Sequence, residues 1–169
     1  ISEAALSDNI WASVHPLGKA FGCHGAVVAG SHTLREYLIN HARSFIYTTG
    51  LSLTQLLTIE SAYELITESD RERDYLFELI DLYISEAQQI PETLSKNRSP
   101  IQYVLCPGNE QVLLLAQAFR DSGFAVGAVR APTVARGTER LRISLHTHNT
   151  QEQVKDFFQI LHRHLKRNC

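Results

Sequence analysis

In the stretch SVHPLGKAFGCHGAVV, residues 13–28, Lys19 sits between Gly18 and Ala20, with Gly22 and Gly25 close behind. Most lysines are solvated charges, and a surface lysine in a turn is the plain alternative here. An amine held in a tight, partly desolvated turn loses its proton more easily. It can then act as a nucleophile and form a Schiff base with a carbonyl compound. A phosphate-binding loop is excluded. That motif needs a glycine five residues before its Gly-Lys pair and Ser or Thr after it, and Ser13 and Ala20 stand in those places.

Arginines form the second group. Arg130, Arg136, Arg140 and Arg142 crowd the stretch RAPTVARGTERLR. Arg140 and Arg142 alternate onto one strand face beside the loop that carries Arg130. A guanidinium fork is a bidentate receptor for carboxylate or phosphate, although exposed strand ends also carry arginine for solubility. Thr48 and Thr49 close FIYTT and offer hydroxyls to a phosphate. Cys23-His24, His146-x-His148 and His162-x-His164 invite a metal reading. No acidic or cysteine partner stands at structural-zinc spacing, and His162 and His164 point to different sides of a helix. No metal is expected.

These groups need a scaffold, and the spacing predicts an α/β one. Residues 9–15 read as a strand running into the Lys19 turn, and 25–31 as a small-apolar strand buried on both faces. A helix follows Ser31 or Thr33, with Leu34, Tyr37, Leu38 and His41 on one face. Residues 44–50 read as a further strand. From Ser52 to about Gln89 the chain reads as helix, first with Leu56, Ile59, Tyr63 and Ile66 on one face. A second face follows with Leu76, Leu79, Ile80, Tyr83 and Ala87, beyond a charged corner at 68–74. From 101 the pattern is strand, helix closed by Gly123, strand 124–130, polar loop and strand 140–146. A last helix after Thr150 carries Val154, Phe157, Phe158, Leu161 and Leu165. The two strands flanking the loop are expected to pair antiparallel.

The 169 residues carry a net charge of −2, which gives no basic footprint for nucleic acid. No apolar run is long enough to span a membrane. Cys23, Cys106 and Cys169 are odd in number and widely spaced, as suits a reducing, cytoplasmic setting. The basic HRHLKRN suits the negative end of a helix dipole. The sequence has no methionine and begins at Ile1, so a processed protein or a piece of a longer one is expected.

Taken in order, HPLGKAFGCHGAVVAGS, ARSFIYTTGLS and VRAPTVARGTERLRISL resemble the α-oxoamine synthases, fold-type-I enzymes that use pyridoxal phosphate. The resemblance is nearest to the family member that joins L-alanine to a pimeloyl thioester (CoA or acyl carrier protein) on the way to biotin. It implies the C-terminal part of a pyridoxal-phosphate-dependent transferase fold. Residues 1–50 would end the large cofactor domain at the edge of its sheet, 51–95 would be linking helices, and 96–169 a small α+β C-terminal domain.

By the same resemblance, Lys19 matches the lysine that holds the cofactor and moves the substrate's α-proton. Thr48 matches the hydroxyl that reaches the cofactor phosphate of a neighbouring subunit, which implies a homodimer with a shared site. Arg142 matches the amino-acid carboxylate receptor, and Arg130 and Thr133 match the loop lining the substrate entrance. Pro16 stands where the family carries a hydroxyl ligand for the phosphate, and a proline offers neither hydroxyl nor N–H. Leu51-Ser52-Leu53 replaces the family's usual proline pair, and Ala131 and Ala135 replace two loop prolines. Family members are more than twice as long, so this chain alone is expected to be catalytically incompetent. Glycine-using and long-chain acyl members, and a non-catalytic dimerisation or binding module derived from the fold, are the alternatives.

Overall fold

The computed structural model describes residues 9–90 and 93–165. Its elements run β1 (Ala12–Pro16), β2 (Ala26–Gly30), α1 (His32–His41), α2 (Arg43–Ile46), α3 (Leu53–Thr67), α4 (Asp70–Ala87), β3 (Ile101–Leu105), α5 (Asn109–Asp121), β4 (Gly127–Val129), β5 (Arg140–Ser144) and α6 (Gln151–Leu165). The chain divides into two compact units between Asp70 and Arg71. The expected Lys166–Asn168 end of the basic terminus, and Cys169, lie outside the described residues.

In the first unit β1 and β2 form an antiparallel hairpin, with Val14 opposite Val28 and Pro16 opposite Ala26. Pro16 ends its strand, where a missing N–H costs the ladder least. The Ser31 hydroxyl accepts from the Leu34 N–H at 3.1 Å and starts α1. Ser52 and Gln55 build a reciprocal capping box at the start of α3, which satisfies backbone donors that a helix N-terminus otherwise leaves orphaned.

Two sequence expectations are corrected here. The run 25–31 is not buried on both faces: β2 pairs with β1, and Val28 is 50% exposed. A strand is buried twice only where layers pack on both sides, and Leu34 and Leu51 merely reach its two end glycines. Residues 44–50 do not form a strand. Arg43–Ile46 is a short helix, with Phe45 and Ile46 N–H groups donating to the Ala42 carbonyl. Strand propensity acts through neighbouring strands, and among the described residues none pairs with this segment. In addition, α4 begins at Asp70, inside the charged run that reads as a corner; acidic residues there suit the positive end of the helix.

The second unit holds the larger core. Its sheet has the order β3-β5-β4, all antiparallel, with Tyr103 opposite Arg142 and Gly127 opposite Arg142 on the other side. The expected pairing of β4 with β5 is present. Alternation sends Leu141 and Ile143 inward with Val104, where they share one core with α4, α5 and α6. Phe119 stacks on Phe157 with ring centroids 4.6 Å apart. Gly123, at φ 87°, ends α5 as expected. Phe124 N–H donates to Phe119 C=O and Gly123 N–H to Arg120 C=O, both at 2.9 Å, a Schellman closure that needs a left-handed residue. Thr150 and Gln153 exchange hydrogen bonds at 3.1 Å to cap α6.

Candidate functional site

The Lys19 turn is built by backbone bonds. Leu17 N–H donates to Gly25 C=O at 2.9 Å, Cys23 N–H to Leu17 C=O at 2.9 Å, and Gly22 N–H to Lys19 C=O at 3.0 Å. Leu17 and Cys23 point inward, 1% and 8% exposed. Gly22 and Gly25 take positive φ of 62° and 106°, which is the conformational demand behind the glycines. Phe21 meets Tyr63 of α3 edge-on at 4.8 Å, so the turn is anchored to a helix as well as to its hairpin. Lys19 itself is exposed. That corrects the partly desolvated turn, because the buried members are its neighbours. Its amine forms no hydrogen bond or ion pair with any described residue.

Thr48 lies in the exposed connection between α2 and α3, and its hydroxyl likewise engages no described residue. Thr49 is exposed beside it.

In the second unit the three helices occupy one face of the sheet and leave the other open. Strand alternation puts Ile101, Tyr103, Arg140, Arg142 and Ser144 on that open face. Arg140 is committed: its guanidinium lies 4.9 Å from the Tyr103 ring centre, and its Nε donates to Thr138 C=O at 2.9 Å. Arg142 is exposed and forms no hydrogen bond or ion pair with a described residue. With Gly127 across from it on β4, no side chain crowds its flank on that side. Of these two arginines, Arg142 is the one without a partner among the described residues, while Arg140 stiffens the aromatic wall beside it.

Arg130 and Thr133 are exposed on the β4–β5 loop. Sequence reasoning missed what holds that loop. Glu139 is 3% exposed, and its carboxylate accepts N–H bonds from Gly108 at 3.0 Å and Gly137 at 2.8 Å. These bonds, Gly108's first, hold its pKa below the usual carboxylate value. Cys106, beside it, is pushed the other way by burial and by the Glu139 charge. The Asn109 side chain grips Ala131 on both sides, accepting from its N–H at 3.1 Å and donating to its C=O at 3.4 Å. Gln102 was missed too. It occupies an inward position on β3 two residues from Val104, and a polar residue at a core position was the available signal.

The histidine pairs hold no metal constellation. His146 and His148 stack on each other at 4.3 Å, and among the described residues no three His, Cys, Asp or Glu side chains are grouped as ligands. Among those residues no helix is long and apolar enough to cross a membrane.

Comparison with known proteins supplies the family. Residues 2–161 match the aminotransferase class I and II family. The 8-amino-7-oxononanoate synthase of Aromatoleum aromaticum is 39% identical over 163 residues, 96% of this chain and 42% of that protein. The one from Xanthomonas axonopodis pv. citri is 40% identical over 82% of this chain and 35% of its own length. The chain thus spans about two fifths of the length of these relatives. Among solved structures, 8-amino-7-oxononanoate synthase from Francisella tularensis superposes with a TM-score of 0.77 at 30% identity, covering 92% of this chain and 45% of that one. Serine palmitoyltransferase of Sphingomonas wittichii gives 0.81 at 21% identity, over 94% and 40%, and shows the same fold. The mixed α/β fold is that of the pyridoxal-phosphate-dependent transferases, as the motifs imply, and the resemblance to the α-oxoamine synthases holds. The chain belongs to the aminotransferase class I and II family, and its relatives include 8-amino-7-oxononanoate synthases.

Proposed function

We propose that the protein of which this chain is part condenses an amino acid with an acyl thioester, using pyridoxal phosphate, the reaction that the resemblance to the α-oxoamine synthases implies. The observation that carries the reading is the Lys19 turn: an unengaged amine on a backbone fixed by three hydrogen bonds and two left-handed glycines. The donor set fits the cofactor and substrate. There is an amine for a carbonyl in Lys19, a hydroxyl for a phosphate in Thr48, and a free guanidinium for a carboxylate in Arg142. Pro16 contributes no donor, so Thr48 carries more of the phosphate.

Pyridoxal phosphate supplies an electron sink for the carbanion formed at the substrate's α-carbon. Lys19 would hold the cofactor, and its amine would take the substrate's α-proton. Arg142 grips the carboxylate bidentately and orients it. Arg130 and Thr133 line the way in for the thioester. A carbon–carbon bond forms between the α-carbon and the thioester carbonyl. The carbon–sulfur bond breaks to release thiol, and the carboxylate leaves as carbon dioxide, a proton taking its place on the α-carbon.

The division into the end of a large cofactor domain (1–50), linking helices (51–95) and a small C-terminal domain (96–169) belongs to the same reading. So does a cytoplasmic homodimer with Thr48 serving the neighbouring site. Supporting it are the apolar side chains that the first unit leaves exposed, with Trp11 at 74%, Phe45 at 64%, Tyr47 at 80% and Leu65 at 67%. The remainder of a longer chain and a second copy would cover them. The test, made on the full-length protein, measures thiol and carbon dioxide release from L-alanine with pimeloyl thioester, against glycine and serine with short and long acyl thioesters. Alanine with pimeloyl should turn over fastest. Preference for glycine or a long acyl chain would move the protein to another α-oxoamine synthase activity, and no turnover with any pair would leave a binding module.

A further inference from the structure

Loop 130–139 between β4 and β5 is tied at both ends to one short turn, Cys106–Asn109, between β3 and α5. At one end Asn109 brackets Ala131. At the other, Glu139 accepts from Gly108 and Gly137 through a single carboxylate oxygen, while its own carbonyl accepts the Cys106 N–H at 2.9 Å. Gly108 and Gly137 have φ of 101° and 84°, so both N–H groups are presented by backbone that other residues rarely adopt. A Cβ on Gly108 would run into the Gln111 side chain. Between the two ties the loop walls a cleft of about 360 Å³ lined by Asn109, Ala131, Pro132, Val134 and Arg136.

We propose that Glu139 and Asn109 are positioning residues that hold loop 130–138 as a preformed wall for the acyl thioester. The inference rests on the condensation reading for the ligand, and on geometry alone for the clamp. A buried carboxylate needs partners, and the ones it has are the amides that shape the loop. Both act through the backbone of the loop, Glu139 on Gly137 and Asn109 on Ala131. Their loss should therefore weaken thioester binding and leave the chemical step intact.

The experiment compares Glu139→Ala, Glu139→Gln and Asn109→Ala with the wild type in three readouts. Amide hydrogen exchange at Gly108 and Gly137 should speed up at least about tenfold in Glu139→Ala, the factor for one lost hydrogen bond to a charged acceptor. Glu139→Gln should restore most of that protection, because its amide oxygen still accepts, yet alkylation of Cys106 should quicken as the neighbouring charge goes. In steady-state assays KM for the pimeloyl thioester should rise by roughly the same tenfold in Glu139→Ala and Asn109→Ala. KM for alanine and kcat should change little. Wild-type exchange in Glu139→Ala, or equal losses in kcat and in both KM values, overturns the proposal. Should Glu139→Ala fail to fold, Asn109→Ala decides it by the split between KM and kcat, and Glu139→Gln by Cys106 alkylation, an unchanged rate there overturning the proposal. If the wild type condenses nothing, the condensation reading falls together with the loop's service to it, and the exchange and alkylation arms still judge the clamp.

Discussion

Gln102→Leu tests how the second unit holds its open face in place. Gln102 is 0% exposed. Its Oε1 accepts the Ser95 hydroxyl at 2.7 Å, and its Nε2 donates to Asn97 C=O at 2.7 Å and Ser99 C=O at 2.6 Å. The residue after it is Tyr103, register partner of Arg142. Leucine keeps the volume but removes three good hydrogen bonds, each worth about 1 kcal/mol net. The Ser95 hydroxyl retains a partner in Tyr103 C=O at 3.3 Å, and the buried leucine returns roughly 1 kcal/mol through its apolar surface. The net loss is therefore about 2 kcal/mol, or a urea midpoint lower by roughly 1 M. Gln102→Glu should cost more, since a carboxylate would face two carbonyl oxygens. Unfolding is followed by far-ultraviolet circular dichroism, because the single tryptophan, Trp11, belongs to the first unit. An unchanged midpoint in Gln102→Leu, or Gln102→Glu as stable as wild type, would refute the reasoning.

Three further outcomes follow from the same geometry. Arg142→Lys should raise KM for the amino acid about tenfold to a hundredfold, one charge-assisted hydrogen bond of a bidentate pair being worth roughly 1.5–3 kcal/mol; initial rates against alanine concentration check it. Glu139 has a folded-state pKa below its ordinary 4.5, so its stabilisation is full above that value and is lost as pH falls through the lower one. Urea midpoints measured from pH 7 to pH 3 should drop for the wild type below about 4.5, and drop less for Glu139→Gln, which has no such proton to take up. Gly30→Ala should destabilise the hairpin by about 1–3 kcal/mol. The new Cβ would lie 2.6 Å from Leu34 Cδ2 and 3.1 Å from the Trp11 carbonyl, and Trp11 fluorescence reports the result.

How much of this was legible in the sequence depended on where each element found its partners. The alternation of 140–146 and the helical spacing of Val154, Phe157, Phe158 and Leu161 gave β5 and α6 directly, because both bury their apolar sides within the same unit. Gly123 marked the end of α5, since a Schellman closure demands its φ. The first unit was harder. Aromatic and β-branched residues at 44–50 mimic a strand, but propensity without a neighbouring strand to pair does not make one. The small-apolar run of β2 has the composition of a doubly covered strand while Val28 is half-exposed. Lys19, Arg130, Thr133 and Arg142 were named from residue type and resemblance, and the structure leaves Lys19 and Arg142 unengaged. Glu139 and Asn109 stayed hidden because their roles are hydrogen bonds to backbone distant in sequence, and Gln102 because its partners Ser95, Asn97 and Ser99 lie in irregular chain before β3. Periodicity does not register those bonds.

The central claim is that Lys19 is the amine that holds pyridoxal phosphate. Loading the protein with the cofactor, reducing with borohydride and mapping the adduct by peptide mass spectrometry tests it directly. The account predicts a phosphopyridoxyl group on Lys19, absent from Lys19→Ala; an adduct on Lys96, Lys155 or Lys166 instead, or none anywhere in the chain, would contradict it.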